Sequence, residues 1–327
     1  MTLVAAQWSG MFAMHQSAHG AQSFERLDPT GYLPPFTDGL ANRAAMAAGI
    51  RAAWRSDGGT LVLDGHGAAD CAPYDLLING ERTHRLPAIG AHRYVLELTG
   101  LAPNSLVQLW LPHYGDLTIN QATLDGESVT SVGEEGPRWI TYGSSITHCQ
   151  QADGPTQTWP TLVARDNGWR LTNLGLAGEC QLDPIAAETI AQTPADLISL
   201  CVGINSYNAA VFSERSYGPA LQGFLKAVRR AHPAVPLVVI TPVLSLPRED
   251  KVNAVGWTLA DYRQATADVV RYLQAQGDSR LHLVDGATVL TAQEALDRLP
   301  DTLHPDTEGY ALMAQRLSPA LAAALNS

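Results

Sequence analysis

The chain has little charge. Asp, Glu, Lys and Arg together make up 16% of its 327 residues, so long solvated charge runs are not expected. The charge it does carry is acidic, a formal net of −11, and no Lys/Arg cluster offsets it locally. A surface of that sign repels phosphate backbones, which argues against a nucleic-acid partner. No apolar stretch approaches the roughly 18 residues of a membrane span, so no membrane partner is expected. Cysteine is scarce: Cys71, Cys149, Cys180 and Cys201 are scattered, with no Cys-x-x-Cys pair. A zinc site is therefore not expected. Buried free thiols are the favoured reading, with a disulfide or a modifiable thiol at Cys149 and Cys180 as the alternative. Without a His-x-x-x-His or His-Glu-x-x-His pattern, metal catalysis has no support. The first residues, MTLVAAQWSGMFAMHQ, lack the basic start and clean apolar run of an export signal, which predicts a cytoplasmic protein. The sequence contains neither an internal repeat nor a low-complexity segment, and no lipase-like apolar lid is recognisable.

What is present is ample apolar material, 46% of the chain, at a length that accommodates two domains. The character changes near residue 135. Upstream, short β-like runs (Thr60 to Leu63, Tyr74 to Ile78, Tyr94 to Leu98, Val107 to Leu111, Leu117 to Ile119) are separated by turn residues such as Asn79-Gly80. Residues 39 to 54 read as helical or irregular. Closely spaced short strands of this kind predict a β-sandwich, jelly-roll-like, over residues 1–135. Gly133-Glu134-Glu135-Gly136-Pro137 reads as the linker.

Downstream, over residues 136–327, strands and helices alternate. Trp139 to Tyr142, Arg170 to Leu174, Leu197 to Val202, Leu237 to Ile240 and Leu281 to Val284 are strand candidates. Helical stretches lie between them, and a last helix runs from about Pro305 to Leu325. The rhythm predicts an α/β fold, a parallel sheet with helices on both faces. In such sheets ligand chemistry lies just beyond the carboxyl ends of the strands, and four polar signals fall there. Gly143-Ser144-Ser145-Ile146 follows the first strand, where a hydroxyl can be exposed beside free helix N–H groups. Asn173-Leu174-Gly175-Leu176-Ala177-Gly178 follows the second and Gly203-Ile204-Asn205 the third; Asp301-Thr302-Leu303-His304-Pro305 precedes the last helix. Each alone suits an ordinary turn. The Asn205 side chain is of the type that donates to a developing oxyanion, worth about 3–4 kcal/mol in a transition state. An Asp three residues ahead of a His in a turn can fix its tautomer.

Taken together and in this order, the four blocks resemble those of the SGNH hydrolases, a branch of the GDSL lipases and esterases. The resemblance covers residues 137 to 327 and implies a flavodoxin-like three-layer αβα sandwich. It makes Ser145 the nucleophile, His304 the base and Asp301 its orienter, with the Ser145 and Gly178 amides and the Asn205 side chain forming an oxyanion hole. It implies no metal and no cofactor. Two positions depart from the pattern: Ser144 stands where Asp is usual, which makes Ser144 the alternative nucleophile, and Ser206 replaces the Asp after Asn205. The Ser-Ser version resembles a subgroup with an N-terminal β-domain. Gly49 to Asp57 and Tyr74-Asp75-Leu76-Leu77 are similar to that domain, with Leu77 where Tyr is expected.

The implied activity is hydrolysis of small acyl esters, acetyl above all, on a carbohydrate or other polyol. An acyltransferase using the same serine and a silent carbohydrate-binding protein are the alternatives. Ile146, Tyr207, Val243 and Leu303 are candidate pocket residues, as is Asn208 beside Tyr207; Leu244 is weighed with Val243. His148 falls near the nucleophile, and Asp285 is a fallback orienter. Trp54, Trp110 and Tyr114 are either core or sugar-stacking residues. The oligomeric state is left open.

Overall fold

The computed structural model describes residues 2–28, 30 and 37–327. The chain divides into two compact units. One division falls between Glu135 and Gly136, and the chain crosses between units elsewhere too. The described residues among 27–43 belong to the second unit, and Asp153–Thr156 to the first. Hydrogen bonds give the reason. Asp28 N–H donates to Thr189 Oγ1 (2.9 Å), and Arg43 Nε to the Ala177 carbonyl (3.2 Å). Thr156 Oγ1 and N–H donate to Asp75 Oδ2 (2.6 and 3.2 Å).

Among the described residues, the first unit holds two antiparallel six-stranded sheets. In one, Leu117–Gly126 lies between Gln22–Glu25 and Gly59–Gly67, with Gly90–Leu98 at the far side. In the other, Ser105–Trp110 lies between Arg51–Ser56 and Tyr74–Ile78. Alternation of buried and half-buried residues along Gly59–Gly67 shows one face turned to a core. That core gathers Trp54, Leu61, Leu63, Leu76, Val107, Leu109, Ile119 and Leu124. Trp54, Trp110 and Tyr114 are buried, so the core reading of these aromatics holds and the sugar-stacking one does not.

The stretch 39 to 54 is not uniformly helical: a helix spans Asp38–Ala45, and Arg51–Ser56 is a strand. Pairing with Ser105–Trp110 and burial on both faces override the helix preference of its alanines. Glu134, expected in the linker, forms an ion pair with the buried Arg51. Asp75 is fully buried and satisfied by Arg85 Nε (2.7 Å) as well as by Thr156, as an interior carboxylate must be.

The second unit is built on a five-stranded parallel sheet. Its strand order is Arg170–Gly175, Arg138–Gly143, Leu197–Cys201, Leu237–Ile240, Leu281–Val284. The two middle apolar runs, Leu197–Cys201 and Leu237–Ile240, are buried at every residue, as strands covered on both faces require. Two helices, Trp159–Asn167 and Thr307–Leu325, pack on one another; Pro184–Gln192, Glu214–Ala231 and Leu259–Ala275 pack in succession. Side-chain caps start several of them: Thr158 and Asp306 accept first-turn N–H groups, and Thr258 forms a capping box with Asp261. In chain order the sheet runs second, first, third, fourth, fifth. The direction of winding therefore reverses between Arg138–Gly143 and Leu197–Cys201, and beyond the carboxyl ends at such a reversal is where open α/β sheets bind ligands.

Candidate active site

Ser145 and Asn205 follow the two strands that flank this reversal. Gly143 ends the first of them, and its lack of a side chain is required: an added Cβ would lie 2.2 Å from Thr147 Oγ1 and 2.9 Å from the Cys201 carbonyl. A short helix, Ser145–His148, begins at once. Ser144 is its N-cap, with Oγ accepting the Ile146 N–H at 3.2 Å. Ser and Asp are near-equal N-caps, which explains why a hydroxyl can stand where the family pattern has a carboxylate. Ser144 is fully buried with its oxygen committed to this cap, so it is not placed as a nucleophile.

Ser145 Oγ lies 2.7 Å from His304 Nε2, and His304 Nδ1 lies 2.5 Å from Asp301 Oδ2. A carboxylate only accepts, so Nδ1 carries the proton and Nε2 presents its lone pair to the serine O–H. The Asp301 turn makes this local. Oδ1 accepts the N–H groups of Leu303 (3.0 Å) and His304 (2.7 Å), while Thr302 between them takes a left-handed φ of 68°. Burial raises the Asp301 carboxyl's pKa. The His304 and Leu303 hydrogen bonds and the neighbouring imidazole outweigh this and hold it below the usual aspartate value. Asp285 is not part of this line: its Oδ1 caps Ala287 N–H (3.0 Å) and accepts from Thr241 Oγ1 (3.3 Å).

Three donors remain. The N–H groups of Ser145 and Gly178 and the Asn205 Nδ2 have no partner among the described residues. Ser145 is at the first position of its helix, where backbone N–H groups have no intrahelical acceptor. Gly178 takes a φ of +80°, a left-handed conformation that favours glycine. Asn205 Oδ1 accepts the Cys180 N–H at 3.1 Å, which leaves Nδ2 as the free end of its amide.

The loop carrying Gly178 is tied on both sides. His148 is buried, and its Nδ1 accepts the Ala177 N–H at 3.3 Å; Tyr142 Oη accepts the Leu182 N–H at 3.1 Å. His148 therefore reaches the neighbourhood of the site as a support for the Gly178 loop. Cys149 and Cys180 are buried and free. Burial pushes both thiols well above the ordinary value, the state of inert thiols rather than reactive ones.

Of the candidate pocket residues, Tyr207 lines a cavity of about 570 Å³ together with Asn208, Arg248, Lys251 and Thr302. Ile146 is interior, with its carbonyl accepting from Trp159 Nε1 (3.0 Å); Val243 and Leu244 are respectively buried and half-buried, and Leu303 is half-buried. Sequence reasoning missed Ser245 and Arg248. Ser245 Oγ donates to the Thr302 carbonyl (2.8 Å), and Arg248 Nη1 donates to that carbonyl (3.2 Å) and to Thr302 Oγ1 (3.3 Å). They pin the turn that carries Asp301 and His304, and no local pattern announces a contact more than fifty residues away in the chain.

An aligned hydroxyl, imidazole and carboxylate at the carboxyl edge of a parallel α/β sheet, with donors unpaired among the described residues nearby, are the groups a carboxylic ester hydrolase uses. The chain belongs to the GDSL-like lipase/acylhydrolase family, whose model matches residues 141–312. Among solved structures it is similar over nearly its whole length to the salicylyl-acyltransferase SsfX3 from a tetracycline biosynthetic pathway. Identity is 26%, the match covers 99% of this chain and 97% of that one, and the TM-score is 0.86. Two others share the fold. A protein from Bacteroides ovatus named as a GDSL-like lipase is 19% identical, with 99% and 98% covered and a TM-score of 0.77. A family two carbohydrate esterase from Cellvibrio japonicus is 15% identical, with 99% and 98% covered and a TM-score of 0.66. Comparison with curated proteins gives no match.

Proposed function

We propose that this esterase works by two-step acyl transfer with Ser145 as nucleophile, His304 as general base and Asp301 as the orienter of the imidazole. The observation that carries the reading is the continuous line from Asp301 Oδ2 through His304 to Ser145 Oγ, with links of 2.5 and 2.7 Å. Both are within hydrogen-bond reach, the geometry that nucleophile activation needs. As Ser145 Oγ attacks the ester carbonyl, its proton passes to His304 Nε2, and the Asp301 carboxylate stabilises the imidazolium. Charge on the carbonyl oxygen is met by the Ser145 and Gly178 N–H groups and Asn205 Nδ2. His304 then returns the proton to the leaving alcohol oxygen, and the C–O bond breaks. The acyl-enzyme is released by a water that His304 deprotonates in the same way.

The substrate in this reading is a small acyl ester, acetyl above all, of a carbohydrate or other polyol. The fold shared with carbohydrate esterases is consistent with it. A second reading has its own observation: the full-length similarity to an acyltransferase at 26% identity favours an acceptor alcohol in place of water. Ser145→Ala should abolish turnover of p-nitrophenyl acetate while the protein stays folded; retained turnover overturns the nucleophile assignment. Product analysis with competing alcohols separates the two acceptors. Alcohol ester formed in large excess over free acid supports transfer, and free acid throughout supports hydrolysis.

A further inference from the structure

The cavity beside the Asp301–His304 turn has a composition unlike the rest of the chain. The sequence carries 32 acidic against 21 basic residues, yet among the described residues no Asp or Glu lines this cavity, whereas Arg248 and Lys251 both do. Lys251 is one of only two lysines in the chain, the other being Lys226. Neither cation is neutralised among the described residues. Arg248 donates to Asn208, Ser245 and Thr302, all uncharged partners, and its Nη2 and the Lys251 Nζ have none. The carboxylates close in sequence are otherwise placed: Glu249 pairs with Arg263 (2.7 Å), Asp301 with His304, and the exposed Asp250 is not part of the lining. The remaining polar lining is amide and hydroxyl, from Asn208, Asn253, Tyr207 and Thr302.

We infer that this cavity is a subsite for an anionic substituent, a carboxylate above all, on the substrate of the proposed reaction. Two unpaired cations in a concave site without competing acids recognise a carboxylate by charge-assisted hydrogen bonds. Position makes the subsite relevant to turnover. Thr302, which lines it, is the residue after Asp301, and Arg248, which lines it too, holds Thr302 by its carbonyl and hydroxyl. A bound carboxylate thus sits against the same guanidinium that fixes the turn carrying the imidazole.

The inference rests on the Ser145 reading, so its test has a chemical and a non-chemical arm. The chemical arm compares kcat/KM within two matched pairs. p-Acetoxybenzoate and its methyl ester differ by a carboxylate on the alcohol half; p-nitrophenyl hydrogen succinate and p-nitrophenyl butyrate differ by one on the acyl half. In one pair the charged-to-neutral ratio should fall up to about tenfold in Lys251→Glu, the upper end for reversing one exposed charge, and less in Lys251→Met. The same ratio should fall in the native protein as salt is raised. The pair that responds identifies the half of the ester that reaches the cavity. The non-chemical arm is calorimetric binding of succinate and p-hydroxybenzoate to Ser145→Ala, with and without Lys251→Glu. Loss of binding on charge reversal supports the subsite even if no tested ester is turned over, a result that would count against the Ser145 reading alone. Unchanged ratios in both pairs, with no anion binding that depends on Lys251, overturn the subsite while leaving the esterase reading intact.

Discussion

Replacing Asp301 by Asn separates orientation of the imidazole from integrity of the turn. In the native protein Oδ1 accepts two backbone N–H groups and Oδ2 receives His304 Nδ1–H. An asparagine keeps one oxygen, which continues to accept from Leu303 and His304, so the turn survives. Its NH₂ then faces Nδ1. Two donors cannot face one another, so His304 must move its proton to Nε2, and the atom facing Ser145 becomes a donor. The base is lost while the fold is kept. In a buried triad this exchange costs about 10⁴ in kcat. Here the Asp301 side chain is 48% exposed, so water competes for the carboxylate and the native bond contributes less. The expected loss is therefore about 10²–10³, or about 3–4 kcal/mol of transition-state stabilisation. Asp301→Ala removes the backbone bonds as well but leaves the tautomer free, so it should lose less activity than Asp301→Asn despite a less stable turn. Steady-state kinetics on p-nitrophenyl acetate, with thermal melting of each variant, measure both effects. A loss below tenfold in Asp301→Asn, or greater activity in it than in Asp301→Ala, refutes the tautomer argument.

Three other expectations follow from the same contacts. His148→Phe removes the acceptor of the Ala177 N–H and should cut kcat about tenfold by loosening the Gly178 loop, less than the roughly 10²–10³ for outright loss of one oxyanion donor, with KM for p-nitrophenyl acetate little changed. Asp75→Asn in the β unit breaks the ion pair between the buried Asp75 and the half-buried Arg85 and should cost about 2 kcal/mol in urea unfolding, less than a pair buried on both sides. Burial raises the Asp75 carboxyl, but Arg85 and Thr156 outweigh it and hold the pKa below 3.8. Its stabilisation is then present above the unfolded value and lost as pH falls through the folded one, so the native protein should lose stability below about pH 4 and the variant should lose less there. Gly143→Ala forces a Cβ to within 2.2 Å of Thr147 Oγ1 and should destabilise by about 1–3 kcal/mol or more, read as a drop in the melting temperature.

The parallel sheet was legible because its strands are short apolar runs closed by glycine or a polar turn. Leu237 to Ile240 and Leu281 to Val284 are expected and observed with the same ends. The positions of Ser145, Gly178, Asn205 and Asp301-x-x-His304 were legible for a related reason: each is tied to a strand end or to the start of the last helix. Arg51–Ser56 was not, because its alanines prefer a helix and only tertiary pairing reverses that preference. The place of the described residues among 27–43 in the second unit was equally hidden, since it depends on single hydrogen bonds such as Asp28 to Thr189. Ser144 illustrates an intermediate case. Its departure from the family pattern is visible in the sequence, but the N-cap bond to Ile146 that makes the departure harmless is visible only in three dimensions. Arg248 and Ser245 show the general limit: long-range supports of a site leave no local periodicity to read.

The proposed chemistry depends most on a single activated hydroxyl. Treating the protein with a serine-reactive phosphonate and mapping the adduct by peptide mass spectrometry tests this directly. One adduct, on Ser145, forming far more slowly in His304→Ala, is the predicted result. An adduct on Ser144, or labelling of Ser145 at the same rate without His304, would contradict it.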